Sequence, residues 1–577
     1  MATAVGSNRK SGVWIPTLVA LAVVATTTLA APSSTHAEGW RARALQRVGR
    51  TLGQLGLRGR GVKARLANTS AERRALQSML APRVYDPKLD KTIVAMPSMT
   101  MDPQEIKKIK GAGHYTERQL YNLLFLRDPK ARVAFISPVP VDKAVVDYYK
   151  RLAGNPKDAD KRLLMVSTNG GHDTPLSHQL LRDRNALKQL SSFIGKQQRQ
   201  AHLYPFTVTD AEWKVAEKLG IPLLGPYVDA AKQWGTKAGN KIIFRRARVP
   251  HPRGSREVRT VDKMVDAIDK LITRTKGRVS RFMVKLNDGF SGEGNAIFDV
   301  KSVASLRGRA RRQGIRAGLE RMNFMADGET WARYSQQIPK LGAIVEPYID
   351  WKTSPSVQGY INPNGKVEVL STHEQVLGGK GQVYMGATFP ANKAYRAAMH
   401  RYAHKVGRQL AREGVIGRFA LDFIATPRAN EAQWSNPTAR KRLERSGRWD
   451  LYAVEINLRQ GGTTHPVNTL KLLTGGAYDE KHGVLRDPQG RAKYLQATDN
   501  HVDNGLLGKS PAHAIEALRK AGLEYDSGRH AGVVLHLMGA MNQYGKVGFT
   551  AIGDSPREAK ALFVRAEKVL REMAAQK

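Results

Sequence analysis

The 577-residue chain has no cysteine. This excludes disulfides, thiolate-bound metals and a cysteine nucleophile, and it says little about compartment. Acid is scarce: 50 aspartates and glutamates stand against 93 lysines and arginines, for a formal net charge of +43. Such a field favours anions, whether nucleotides, acidic substrates, nucleic acid or an acidic membrane surface. The sequence also lacks zinc-finger spacing, an RNA-binding aromatic signature and internal repeats. The basic excess, denser at 245–259, 307–321 and 440–448, therefore reads first as a solvated surface, and nucleic acid is not the expected partner. An apolar content of 41% excludes wholesale disorder. The length exceeds what one core can use and implies two to four packed units.

Charge is missing altogether from residues 11–37, after Arg9 and Lys10. Residues 13–31 are strongly apolar, and small residues follow up to Ala37, the pattern of a secretory signal cleaved there. The same run is nearly long enough to span a bilayer. It is followed by Arg41, Arg43, Arg47, Arg50, Arg58, Arg60, Lys63 and Arg65, and basic flanks stay cytoplasmic. Residues 1–37 are thus expected to be a signal peptide or an inward-facing membrane anchor. Residues 38–90, Arg-rich and punctuated by glycine, read as a mobile or amphipathic linker.

An α/β unit begins near Lys91. Buried-type strands at 92–96, 132–136 and 162–166 alternate with helical spacing at 117–126 and 142–152, which predicts a parallel sheet with covered faces. His172 and Asp173 follow the third strand, either at a crevice or simply in a turn. From Thr236 a helix runs through Arg246, a second spans 261–273, and a strand at 281–286 ends in Lys285-Leu286. Asn287-Asp288-Gly289-Phe290-Ser291-Gly292-Glu293-Gly294-Asn295-Ala296 follows, and a strand returns. A strand, glycine-rich turn and strand form a hairpin flap whose N–H groups can wrap an anion, although glycines also serve turns alone. It is not a P-loop, because no Gly-Lys-Ser/Thr follows and no helix opens there.

An apolar strand over 341–350 leaves through Glu346-Pro347, suiting a hinge between lobes. Next come Thr372-His373-Glu374-Gln375, a helix over 395–413 and a strand over 419–425 with the lone acid Asp422. A basic hairpin insertion spans 426–448. The strand over 451–458 alternates Val454, Ile456 and Leu458 with Glu455, Asn457 and Arg459, so a carboxylate, an amide and a guanidinium share one side. A solvated edge strand would tolerate that row; a buried one needs pairing or a metal. Paired antiparallel, the two strands bring Asp422, Glu455 and Asn457 around one hard cation. A helix over 467–473, a mostly helical region to Leu518, strands at 532–537 and 546–552 and a helix over 556–575 complete the chain.

In this order, Thr236-Lys237…Lys241, Val284 through Ala296, Val345-Glu346-Pro347-Tyr348-Ile349, Thr372 through Gln375, Leu421-Asp422-Phe423 and Glu455 through Pro466 resemble the ATP-grasp superfamily. Within it the chain is similar to the pheganomycin-type peptide ligase branch, which carries a pre-ATP-grasp domain. The resemblance covers about residues 91–577. It implies an α/β chain with α+β lobes: an ATP-grasp fold preceded by a parallel-sheet pre-ATP-grasp domain. The implied units are 91–235 (pre-ATP-grasp), 236–475 (core, with a flap lobe to about 345 and a metal lobe from 346) and 476–577.

The resemblance places Lys237 and Lys285 at ATP phosphates, with Asp288, Gly289, Ser291, Gly292, Gly294 and Asn295 as the closing flap. Glu346 and Tyr348 fall at the adenine hinge, Asp350 at the ribose, and Glu374 is a further nucleotide contact. Asp422, Glu455 and Asn457 match magnesium ligands. Arg459 matches the arginine on the transferred phosphate, so Arg459 and Lys285 are the expected catalytic pair. The implied activity is an ATP- and Mg²⁺-dependent carboxylate–amine ligase working through an acyl phosphate, with Mn²⁺ as a substitute ion. Its substrates would be a small-molecule carboxylate and an amine, that is, amino acids or peptides. The alternatives are a small-molecule kinase on the same scaffold and a non-catalytic basic nucleotide- or polyanion-binding protein. An ATP consumer favours the inward-facing anchor over export, and the N-terminal segment would then supply membrane association.

Overall fold

The computed structural model describes residues 70–81, 88–100, 110–288, 294–326, 328–378, 383–428, 436–445 and 448–576. All of them belong to one compact unit, Ala64–Lys577. The segment read as a signal or anchor lies outside the described residues, as do Gly289, Ser291 and Gly292 of the flap and part of the 426–448 insertion. Among the described residues no helix is long and apolar enough to cross a membrane.

The first layer is a four-stranded parallel sheet in the order Leu163–Ser167, Ala131–Ser137, Lys91–Met96, Ala201–Pro205. Lys91–Met96 is buried at every position, as a strand covered on both faces requires. Ile93, Ala95 and Phe135 pack against helices Ala112–Arg127 and Lys143–Leu152. Val94, Met96 and Ile136 pack on the other side against Leu180, Leu190 and Trp213. The fourth strand escapes the sequence reading because it carries His202, a buried polar residue among few β-branched ones.

The expected linker ends earlier than Lys91. Ser70 caps helix Ala71–Gln77, and Arg73 bonds Glu217 at 2.7 Å and Asp210 at 3.0 Å while lying over the Trp213 ring. With Leu76 and Leu80 buried, residues 70–81 are part of the packed unit rather than a loose tether.

A four-stranded antiparallel sheet forms the second layer, in the order Asn323–Phe324, Asn295–Asp299, Arg281–Leu286, Ala343–Pro347. Helix Val261–Thr275 packs on it through Met264, Ile268 and Leu271. The third layer is a ten-stranded antiparallel sheet. Its continuous run is Trp449–Asn457, Gly417–Pro427, Pro355–Ile361, Val367–Gly378, Val383–Phe389, Ala492–Val502, Val484–Arg486, Ala477–Asp479. Lys546–Gly553 pairs with Ala492–Val502 and carries Gly532–His536 beyond it.

One sequence expectation fails here. The region after Gly475, read as mostly helical to Leu518, instead holds strands Ala477–Asp479, Val484–Arg486 and Ala492–Val502, and its helix starts only at Pro511. Ala492–Val502 does alternate, but its buried side includes Lys493, Asp499 and His501, so the strand period is hidden behind polar letters.

Candidate active site

The two acid-bearing strands pair antiparallel with Asp422 opposite Glu455 and Ala420 opposite Asn457. The register shifts immediately after Asp422, a bulge of the kind that re-aims a side chain. Asn457 donates from Nδ2 to Asp422 Oδ2 at 2.8 Å, and Gln375 donates from Nε2 to Asp422 Oδ1 at 3.0 Å. Arg459 donates to Asn457 Oδ1. Lys237 Nζ lies 2.7 Å from Glu455 Oε1. Burial, and next the charge of Glu455, pushes the Asp422 carboxyl up to about 7. Burial also acts to raise Glu455, but Lys237 and then Arg459 overcome it and hold Glu455 below the usual carboxylate range. Two carboxylates and an amide oxygen gathered this closely suit a hard divalent cation such as Mg²⁺.

Lys237 is placed by the start of its helix, Lys237–Arg246. Thr236 Oγ1 accepts from Gly239 N, while the backbone and side-chain oxygens of Asn287 accept from Lys237 N at 3.0 Å and Ala238 N at 2.7 Å. Those bonds tie the helix to the segment that enters the flap. Asn240, on the same helix, accepts from Ile456 N at 2.8 Å and fixes it to the Glu455 strand.

A second cluster centres on Glu346, 2% exposed on strand Ala343–Pro347. Lys285 Nζ reaches its Oε1 at 2.7 Å, and Lys241 pairs with its other oxygen. Burial opposes ionisation of Glu346, yet the two ammonium groups hold it below its ordinary value. Glu346, expected with Tyr348 at the adenine hinge, lines the cavity, and its carboxylate is committed to the two lysines. Tyr348 N–H, the other hinge candidate, donates to Arg281 O at 3.0 Å, and the Arg281 guanidinium covers the Tyr348 ring. Arg281 also pairs with Asp350. The motif alone assigns Lys241 no role, although its i, i+4 spacing from Lys237 puts both on one helix face.

Glu374 is the clearest displacement. It accepts from Asn392 N at 2.8 Å, from Thr353 Oγ1 and from the Tyr395 hydroxyl, so it anchors the start of helix Lys393–Arg412. Its neighbour Gln375, on the opposite face of the strand, is the residue that meets Asp422.

One cavity of about 290 Å³ gathers these groups. Lys285, Asn295, Glu346, Asp422, Glu455, Asn457 and Arg459 line it, as do Pro347, Tyr348 and Gln375. Lys237 reaches this wall through its bond to Glu455, whereas Asp288 is exposed. Gly294 sits against Leu286, and its carbonyl accepts from Tyr334. The three histidines flanking motifs are elsewhere. His172 lies tilted against the His114 ring, His373 bonds Ser371 Oγ at 2.8 Å, and His465 is buried against Asp499 and His536. Tyr115 and Arg118 line the cavity too, from the helix Ala112–Arg127. Nearly every position of that helix is buried, so no polar stripe in the sequence marked them.

Residues 228–326 and 321–435 match the family described as IQCH-like, ATP-grasp, and residues 513–564 match the PGM1 C-terminal domain. L-propargylglycine–L-glutamate ligase of Streptantibioticus cattleyicolor is 31% identical over 476 residues, 81% of this chain and 91% of that protein. IQ motif-containing protein H of Danio rerio is 24% identical over 381 residues, 58% of this chain; the chain spans 36% of that longer protein. Among solved structures, the ADP complex of N5-carboxyaminoimidazole synthetase from Staphylococcus aureus is 13% identical with a TM-score of 0.45, covering 83% of this chain and 98% of that one. The chain belongs to the ATP-grasp family, among its amide-forming ligases.

Proposed function

We propose that this ATP-dependent ligase joins a small carboxylic acid to an amine-bearing amino acid or peptide through an acyl phosphate. The carrying observation is the single cavity in which Asp422, Asn457 and Glu455 stand together with Lys285 and Arg459. The ligase relative, named for two amino acids, supports the same class.

In the first step the γ-phosphoryl group leaves the β-phosphate oxygen for an oxygen of the substrate carboxylate, giving an acyl phosphate and ADP. The amine nitrogen then adds to the acyl carbon and loses a proton, and the tetrahedral adduct expels phosphate to leave the amide. The protein's work in such a sequence is positioning and charge neutralisation. Lys237 and Lys285 face the phosphates, and Arg459 faces the transferred group and the oxyanion. Asp422, Glu455 and Asn457 would hold Mg²⁺, or Mn²⁺ in its place, which supplies charge neutralisation to the phosphate oxygens when bound.

A screen of carboxylic acids, amino acids and peptides, singly and in pairs, tests this by ADP release, inorganic phosphate and product mass. Phosphate and amide appearing together support the ligase. Phosphate retained on a substrate, with no amine required, would make it a kinase. For the N-terminal segment we propose an anchor that keeps the ligase with cellular ATP; protease digestion of intact cells distinguishes it from export.

A further inference from the structure

The mechanism above leaves one wall of the cavity unused, the wall built by Tyr115, Arg118 and Phe206. Arg118 carries the chemistry there. Its side chain is 6% exposed, and Nη1 donates to Asp499 Oδ2 at 2.8 Å. The guanidinium lies 3.8 Å from the Tyr115 ring centre and 5.9 Å from that of Phe206. Its Nε has no hydrogen-bond partner among the described residues. A guanidinium has five donors in a fixed fork, and a buried donor left open is expensive.

Asp499 cannot turn to satisfy the remainder. Its other oxygen already meets His465 at 3.0 Å and His536 at 2.9 Å. Lys546 adds a second cation, with Nζ 3.0 Å from the Tyr115 hydroxyl and 4.9 Å from its ring centre. Two cations thus face one carboxylate, and this end of the cavity is short of an anion.

Backbone contacts join this wall to the segment after Arg459 and to the strand Val383–Phe389. Phe206 O accepts from Gln460 N, and Asn500, next to Asp499, donates to Tyr384 O. Arg459, by contrast, is bonded to Asn457 in the acidic cluster. A carboxylate clamped in a guanidinium fork is neutralised and a poor nucleophile, so the group held here is not the one activated. We propose that Arg118 binds the unreacting carboxylate of an amino acid or peptide substrate, whose apolar part lies against Tyr115 and Phe206. This assignment rests on the ligase reading for its place in the reaction, but the subsite itself is a binding claim.

Calorimetric titration of the full chain, with MgADP present, uses free L-amino acids, dipeptides, their carboxamides and inorganic phosphate as probes. At least one acid should bind, with its carboxamide weaker by about 10- to 100-fold, the range of a charged hydrogen bond. Arg118→Met should bring the acid down to the level of the carboxamide, and Arg118→Lys should fall between. If Arg118→Met does not fold, Arg118→Met/Asp499→Asn, which removes both members of the buried pair, answers the same question. The proposal is overturned if no acid or dipeptide binds, if only phosphate binds, if acid and carboxamide bind alike, or if the variant weakens both equally. Acid discrimination that depends on Arg118 without any MgADP affinity would sink the ligase reading and leave the subsite standing.

Discussion

Lys237 and Glu455 lie 218 residues apart in sequence and meet at 2.7 Å. The bond joins the first turn of a helix to the strand that carries the acidic cluster, so the two motifs share one electrostatic unit. Ligand charge added at either partner is felt by the other.

That coupling sets the first prediction. Lys285→Ala and Glu455→Ala should each remove about 2–4 kcal/mol of transition-state stabilisation, roughly 30- to 1000-fold in kcat/KM. Circular dichroism should show both variants folded. Full activity of both at saturating ATP and magnesium would refute the assignment of these residues.

Glu346 gives a second. Its carboxylate serves Lys241 and Lys285 together. Glu346→Gln leaves two buried ammonium groups facing each other, and breaking a buried pair costs about 3–5 kcal/mol. Bound nucleotide should relieve part of that loss, because its phosphates replace the missing anion. The rise in Tm on adding ATP should therefore be larger for the variant than for the parent chain. An equal rise would contradict the placement of Lys285 at the phosphates.

Neighbouring residues on one strand should separate stability from binding. Glu374→Gln should lower unfolding free energy by about 1 kcal/mol, the cost of disturbing a half-buried acceptor with three donors, and leave nucleotide affinity unchanged. Gln375→Ala, which frees Asp422 Oδ1, should do the reverse: little change in urea stability and weaker metal-dependent nucleotide binding.

Acid stability follows from buried histidines. Burial pushes His373 down to about 3, and burial followed by the charge of Lys91 does the same to His202. The unfolded chain takes up these protons near 6.5, so the unfolded state binds more protons between about 6.5 and 3. Stability is complete above 6.5 and falls as pH drops through that window, by up to about 1.4 kcal/mol per pH unit for each histidine. Urea titrations at pH 7, 6 and 5 should show a shallower decline for His373→Gln than for the parent; identical slopes would mean that His373 is not held neutral.

Much of the site was legible because its residues break an otherwise apolar alternation. Asp422 interrupts an apolar run and Glu455 and Asn457 alternate with Ile456 and Leu458, while the antiparallel pairing that brings them together is seen only in the structure. The presence of the parallel sheet's first three strands could also be read from runs such as Ile93-Val94-Ala95, though not their order in the sheet. What could not be read is which of two adjacent polar residues faces inward. Glu374 and Gln375 differ by one position, and a strand assigns them to opposite faces only once its register is known. Arg118 was invisible for another reason: a helix buried on all sides carries no stripe from which a functional face can be told. The strand Ala492–Val502 was missed because its inner row includes Lys493, Asp499 and His501, the first two of them paired with groups far away in sequence.

The long sheet has a practical consequence for dissecting the protein. Strand Val383–Phe389 borders Ala492–Val502, with Gly386 beside Thr498 and Phe389 beside Leu495. A fragment ending near Gly475 would keep every acidic-cluster residue yet lay bare a ragged seam of peptide N–H and C=O groups along that border. Open seams of this kind recruit other chains. Such a minimal piece would clump in solution, and its silence in an assay would report tangling rather than missing chemistry.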